Sequence, residues 1–212
     1  HNYGCTFHCS FCSYKLRSGA EGRPGFSWPK PERFPTVEEL KEALRSVAPE
    51  KVFFMGGEPT VAKELPELLA FARQELGAVT RLGHTNGSRL PLEFLDGANV
   101  GFKAWSPELH RRITGRDKNL IYDNFAAACD AGLEMAANMV YVPGLVELDE
   151  FEGTVQFLSR ISPEIPFHIM GYIPVPGEPY RRPTDAEMEQ AEALCRTYLR
   201  HVASSHLTDA EA

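Results

Sequence analysis

The chain has no apolar stretch of membrane-spanning length and no signal-peptide pattern ahead of its first motif, so neither membrane insertion nor export is expected. Basic charge is in short supply as well. Lys and Arg number 22 against 29 Asp and Glu, and the net charge of -7 argues against nucleic-acid binding through overall charge. No Gly-x-Gly-x-x-Gly follows a candidate strand, which leaves a dinucleotide-binding Rossmann site unsupported. Cysteines are few, five in 212 residues, and are not spread in the pairs that a disulfide scaffold needs. What remains is an ordinary globular composition, 43% hydrophobic and 24% charged, in a chain long enough for one domain with a sizeable core.

Three of the five cysteines, Cys5, Cys9 and Cys12, lie within eight residues of one another. Three thiolates on one curled loop can face a common centre, a metal ion or an iron-sulfur cluster. A four-iron cluster held by three cysteines keeps one iron open to an outside ligand, and chemistry would occur there. Zinc with His8 or His1 as a fourth ligand stays open on the residues alone, as do thiols without metal, although structural zinc sites usually draw on two separated ligand pairs. Cys129 and Cys195 fall in helical patterns among Ala and Leu and are expected as small core residues. An odd cysteine count with three clustered suggests a reducing, cytoplasmic setting. The chain begins at His1, not Met, four residues before the first cysteine, and a supporting segment is expected to precede the loop. One domain over residues 1–205 and a tail over 206–212 are expected.

Residues 13–35 carry Gly, Pro and basic residues without an apolar period and read as a long irregular loop. Thr36 and Glu39 form a capping box for a helix that runs to about Ala48, with Val37, Leu40, Leu44 and Val47 at helical spacing. Residues 51–55 read as a buried parallel strand, and Thr60 as the cap of a helix carrying Leu65, Leu68 and Leu69. Further strands are expected at 79–84, 98–103, 134–142 and 166–173, and further helices at 120–131, 149–161 and 184–202. Strand then helix at roughly 30-residue spacing is the pattern of right-handed βα units on a parallel sheet. The unusual residues fall just after strands: Gly56 to Pro59, His84 to Gly87, Lys103 to Trp105, Pro143 with Gly144, and Pro174 to Gly177. In barrel-like α/β folds those loops converge on the active face.

Gly56-Gly57-Glu58-Pro59 ends the first visible strand. Glycines there let a backbone approach a ligand, Glu58 offers an acceptor for an ammonium group, and Pro59 can set a helix entrance. Together with Cys5, Cys9, Phe11 and Cys12, this segment resembles the radical S-adenosylmethionine (SAM) superfamily, whose signature is C-x-x-x-C-x-aromatic-C with a Gly-Gly-Glu segment one βα unit later. The resemblance implies an α/β fold, an incomplete (β/α)6 barrel that here lacks its first strand. It also implies a [4Fe-4S] cluster on Cys5, Cys9 and Cys12 whose open iron binds SAM. An electron would cleave SAM to methionine and a 5'-deoxyadenosyl radical, which takes a hydrogen atom from the substrate.

Within the superfamily the chain is most similar to activases of glycyl radical enzymes, of the pyruvate formate-lyase activating type. Thr85-Asn86-Gly87, Phe102-Lys103, His110 with Thr114-Gly115, and Tyr141 to Gly144 occur in matching order. That likeness implies adenine beside Phe11 and Val140, the methionyl amino group at Gly56, Gly57 and Glu58, and the carboxylate at Lys103, with Pro59, Thr85 and Asn86 also at the cofactor. It implies a glycyl radical enzyme or another substrate as partner, and reduced flavodoxin or ferredoxin as electron donor. His84 and Gly101 stand where the activases carry carboxylates that hold a monovalent cation, so that cation site is expected to be weakened or absent. Ser13-Tyr14 replaces His-Asn after the third cysteine, and Ile173 replaces a polar residue facing the ribose. No further cysteine-rich insertion or cobalamin module is present, so single-cluster chemistry is expected. Residues 15–35 and 174–183, the latter with Tyr180, Arg181 and Arg182, are expected at the open face against the substrate.

Overall fold

The computed structural model describes residues 4–23, 25, 26 and 30–208. His1, positions 24 and 27–29 of the expected loop, and the end of the expected tail lie outside the described residues. In chain order the elements are α1 (Lys15–Ser18), α2 (Val37–Val47), β1 (Lys51–Phe54), a 3-10 turn (Pro59–Val61), α3 (Leu65–Gln74), β2 (Val79–Thr85) and β3 (Gly97–Phe102). There follow α4 (Pro107–Thr114), α5 (Lys118–Asp130), β4 (Glu134–Tyr141), α6 (Leu148–Ile161), β5 (Phe167–Gly171), α7 (Asp185–Arg196) and β6 (Val202–Ser205).

The six strands form one sheet in the order β1-β2-β3-β4-β5-β6, every neighbouring pair parallel. The sheet is not closed into a barrel, since β1 and β6 are its two edges. Alternation along each strand separates two faces. Leu82, Ala98, Val100, Phe102, Ala137, Met139, Phe167 and Ile169 are buried in one core with helix residues such as Leu69, Phe125, Phe151 and Leu158. The alternate positions Gly101, Asn138, Val140 and Met170 line a cavity instead. The β2–β3 register shifts between Leu82 and Thr85, just where β2 reaches the cavity.

Both expected capping boxes form: Thr36 Oγ1 accepts from Glu39 N at 3.2 Å, and Thr184 Oγ1 accepts from Glu187 N at 3.3 Å. Three expectations are corrected. Thr60 caps no long helix; the Glu58 carboxylate accepts from Thr60 N at 3.1 Å, a 3-10 turn follows, and α3 starts only at Leu65. The helix expected to reach residue 202 ends at Arg196, because Val202 pairs with Phe167 and the following residues become β6. The region read as wholly irregular contains α1, and α4 was not foreseen. The start of α4 rests on a long-range contact, the buried Glu150 carboxylate accepting from Ser106 N at 2.7 Å. No helix among the described residues is long and apolar enough to cross a membrane.

Candidate active site

The cysteine loop is fastened on both flanks. On one, Gly4 N donates to Gly25 O at 2.7 Å, and Glu58 N donates to Gly4 O at 2.9 Å. Three backbones cross here with no room for side chains: a Cβ on Gly57 would stand 2.3 Å from Gly4 O and 2.5 Å from Gly25 Cα. On the other flank, His8 N donates to Thr114 O at 3.3 Å, Arg116 Nε donates to Thr6 O at 3.3 Å, and the buried Phe7 ring meets His110 edge-on at 5.9 Å. His110 is itself buried, with Nδ1 3.0 Å from Arg116 O, and burial holds its pKa below the usual histidine range. The end of α4 and the β1 turn thus grip one loop from opposite sides.

That loop, together with the carboxyl ends of β2 to β5 and the residues around the end of β6, encloses a cavity of about 520 Å3, within the range of cofactor sites. Among the expected site residues, Cys5, Cys9, Phe11, Cys12, Gly57, Thr85, Asn86, Lys103 and Val140 line it. Gly56, Glu58 and Pro59 do not. Glu58 is fully buried, and its carboxylate accepts from Thr60 N and Oγ1, from Thr85 Oγ1 at 2.8 Å and from Asn86 N at 2.7 Å. This carboxylate locks the turn after β1 to the turn after β2, and it is not presented to the cavity. Lys103 is half-buried, and its ammonium makes no hydrogen bond or ion pair among the described residues.

Asn86 serves both the turn and the loop. Its Nδ2 donates to Thr6 Oγ1 at 2.9 Å and lies 3.6 Å from Cys5 Sγ, while its Oδ1 accepts from Ser88 N at 2.9 Å. Burial pushes the Cys9 thiol up to about 12, with the Lys103 charge opposing, and raises that of Cys5 as well. Bare thiols of this kind keep their protons until a metal centre displaces them. By its chemistry the donor set fits an iron-sulfur cluster: three thiols on one short loop line the same cavity, while Cys129 and Cys195 lie elsewhere in or against the core; among the described residues no three His, Cys, Asp or Glu side chains are already gathered as for a single metal ion.

Both departures noted in the sequence, His84 and Gly101, lie on the cavity wall. A Cβ on Gly101 would stand 3.0 Å from Lys103 Nζ and 3.1 Å from Asn138 Oδ1. Ile173 is on the wall too, but Tyr180, Arg181 and Arg182 are not. Arg181 is bound to Glu187 at 2.6 Å, and Tyr180 meets Tyr172 edge-on at 6.5 Å. Lys15 of α1 reaches Glu178 at 3.0 Å, tying the two expected substrate loops together. Sequence reasoning missed Asn138, Met170, Tyr172, Ser205, His206 and Leu207. The first three could have been found from strand alternation; the last three depend on β6, for which no strand was expected and whose first residue, Val202, closes the expected helix. Residues 206 and 207, expected as tail, are part of the wall.

An open, all-parallel α/β sheet with a three-thiol loop over a cofactor-sized cavity at its strand ends defines a half-barrel enzyme built for a metal cluster. The chain belongs to the radical SAM superfamily, whose family model matches residues 1–158. A candidate glycyl-radical enzyme activating enzyme of Methanocaldococcus jannaschii is 25% identical over 213 residues, 96% of this chain and 78% of that protein. The structure of Streptococcus suis SuiB bound to S-adenosylmethionine superimposes with a TM-score of 0.74 at 17% identity, covering 96% of this chain and 48% of that one. A domain of pyruvate-formate lyase-activating enzyme from Bacteroides vulgatus matches with a TM-score of 0.60 at 16% identity, over 74% of this chain and 99% of that one. The chain thus spans about half the length of SuiB. The family's cofactors are a [4Fe-4S] cluster and SAM.

Proposed function

We propose that this radical SAM enzyme uses one cluster to abstract a hydrogen atom, and that its target is a glycine of a glycyl radical enzyme. The observation that carries the chemistry is the meeting of the three-thiol loop, Gly57 and Lys103 around one cavity. When bound, the cluster and SAM supply a 5'-deoxyadenosyl radical by one-electron cleavage. Cys5, Cys9 and Cys12 hold the cluster. Gly57 lets its backbone cross those of Gly4 and Gly25 while lining the cavity, so that backbone can meet the methionyl amino group while Glu58 stays engaged with its own chain. Lys103 answers the carboxylate, and Phe11 and Val140 flank the adenine.

The glycyl radical target is supported by the likeness to the M. jannaschii protein along nearly the whole chain. Modification of a small molecule, peptide or RNA is the second reading, and SuiB, also solved with its precursor peptide SuiA bound, favours the peptide form. Reduced flavodoxin or ferredoxin is proposed as the donor, in a reducing cytoplasm. With His84 and Gly101 in place of carboxylates, turnover is expected to be the same in sodium, potassium or a bulky organic cation.

Anaerobic reconstitution followed by dithionite reduction with SAM tests the chemistry by release of 5'-deoxyadenosine. Cys9→Ala is expected to abolish both iron loading and release, whereas Cys129→Ala retains both. No release from a cluster-filled enzyme would overturn the reading. A glycyl radical signal in a partner enzyme, seen by electron paramagnetic resonance, tests the target.

A further inference from the structure

Among the described residues, the cavity wall is short of negative charge. The chain has 29 acidic residues in 212, so about three would be expected among the twenty-one described residues that line the cavity, yet none of these is Asp or Glu. Glu58, the nearest carboxylate in sequence to the wall residue Gly57, is buried and engaged with Thr60, Thr85 and Asn86. When the residues proposed for cluster and SAM are set aside, twelve wall residues remain, among them His84, Met170, Gly171, Ser205, His206 and Leu207. Those named come from β2 and from β5 and β6, the opposite side of the open sheet. Both sides nevertheless face the same cavity, His84 from β2 and His206 from just beyond β6.

The second imidazole is held in place. His206 Nε2 lies 2.7 Å from Asp185 Oδ1, at the start of α7, and its Cβ fills the space over Gly171, where an added Cβ would stand 2.4 Å away. Ser205 Oγ lies 2.9 Å from His168 Nε2, which fixes the preceding residue. The described residues left to meet a substrate here carry no negative charge, and among them are two imidazoles, the Ser205 hydroxyl, and the apolar Met170 and Leu207. An imidazole can donate to an anion, His206 from Nδ1 in its protonated form while Asp185 takes Nε2.

We propose that His84 and His206 form a substrate subsite for a carboxylate, so that the enzyme selects a target bearing an acidic group close to the hydrogen it removes. This rests on the radical SAM reading of the site. On the glycyl radical reading, the group is an Asp or Glu side chain beside the target glycine; on the small-molecule reading, it is a free carboxylate.

The test uses cluster-reconstituted enzyme with SAM bound, titrated anaerobically by calorimetry. The probes are two seven-residue glycine peptides differing only in Asp or Asn next to the glycine, and succinate beside its diamide. The Asp peptide, or succinate, is expected to bind about tenfold more tightly than its amide counterpart, the gain of one charge-assisted hydrogen bond. His84→Gln and His206→Gln should each erase that preference. The arm that shows it tells a peptide carboxylate from a free one. Equal binding of acid and amide, no saturable binding by any probe, or an unchanged preference in both variants would overturn the proposal. SAM affinity is measured in parallel, and an equal loss of it would assign the imidazoles to the cofactor and also overturn it. Release of 5'-deoxyadenosine without substrate separates the outcomes: if it persists while acid and amide bind alike, only the subsite fails.

Discussion

Thr85 Oγ1 donates to Glu58 Oε1 at 2.8 Å, joining the end of β2 to the turn after β1 inside the protein. The other oxygen, Oε2, accepts from Asn86 N at 2.7 Å, and Oε1 also accepts from Thr60 N at 3.1 Å. Glu58→Gln puts an amide N–H against one of these two backbone donors whichever way the amide turns. A buried donor left without its acceptor costs about 2 to 3 kcal/mol. The urea midpoint should fall accordingly with an unchanged slope. A variant as stable as the wild type would mean that Glu58 is not the clamp.

Gly57→Ala should spare the fold and disable the loop. Its Cβ would meet Gly4 O at 2.3 Å and Gly25 O at 2.6 Å, both backbone atoms that cannot swing aside. The crossing that seats Cys5 must then open. Iron bound per chain after reconstitution is expected to drop to a small fraction, with far-ultraviolet circular dichroism little changed. Gly77→Ala is the control: it has φ +65° but nothing within 4 Å, so it should cost about 1 kcal/mol and leave iron loading intact.

How much of this was legible beforehand follows from the range of each interaction. The capping boxes at Thr36 and Thr184 are written within four residues, and both appear as read. The cysteine loop and most of the strands are signalled by local spacing and apolar runs. The start of α4 is different, because Ser106 is held by Glu150, 44 residues away. β6 is four residues long and is defined by pairing with β5, so no period in its own sequence could mark it. Glu58 shows the same limit at the site. The motif placed it correctly in the chain, but only the fold shows its carboxylate turned toward Thr85 and Asn86.

Acid should weaken the junction between the 174–183 loop and α7. Hydrogen bonds from Arg181, then from Thr184 N, hold the Glu187 carboxyl at about 2, below its ordinary 4.5. A depressed folded-state pKa stabilises above the unfolded value and loses that stability as pH falls through the folded one. The contribution is therefore full above about pH 4.5 and fades toward about pH 2. The difference in urea midpoint between wild type and Glu187→Gln should be largest near about pH 6 and shrink steadily down to about pH 3. A difference that is constant over that span would show that the ion pair adds nothing to the cap.

Asn86 should tune the cluster's potential. Its Nδ2 lies 3.6 Å from Cys5 Sγ, close enough for an N–H to point its positive end at a thiolate sulfur. Adding an electron makes the cluster and its thiolates more negative, so such a donor stabilises the reduced state more than the oxidised one. Asn86→Ala removes it and should lower the reduction potential by on the order of tens of mV. Asn86→Asp replaces the donor by a negative charge and should lower it further, a ranking that loosened packing alone would not produce. The readout is a potentiometric titration followed by electron paramagnetic resonance, in reconstituted enzyme without SAM. Asn86 also holds Thr6 Oγ1 at 2.9 Å, so Thr6→Val is the companion variant. If Thr6→Val shifts the potential as far as Asn86→Ala does, the effect comes from the loop's position and not from the N–H beside the sulfur.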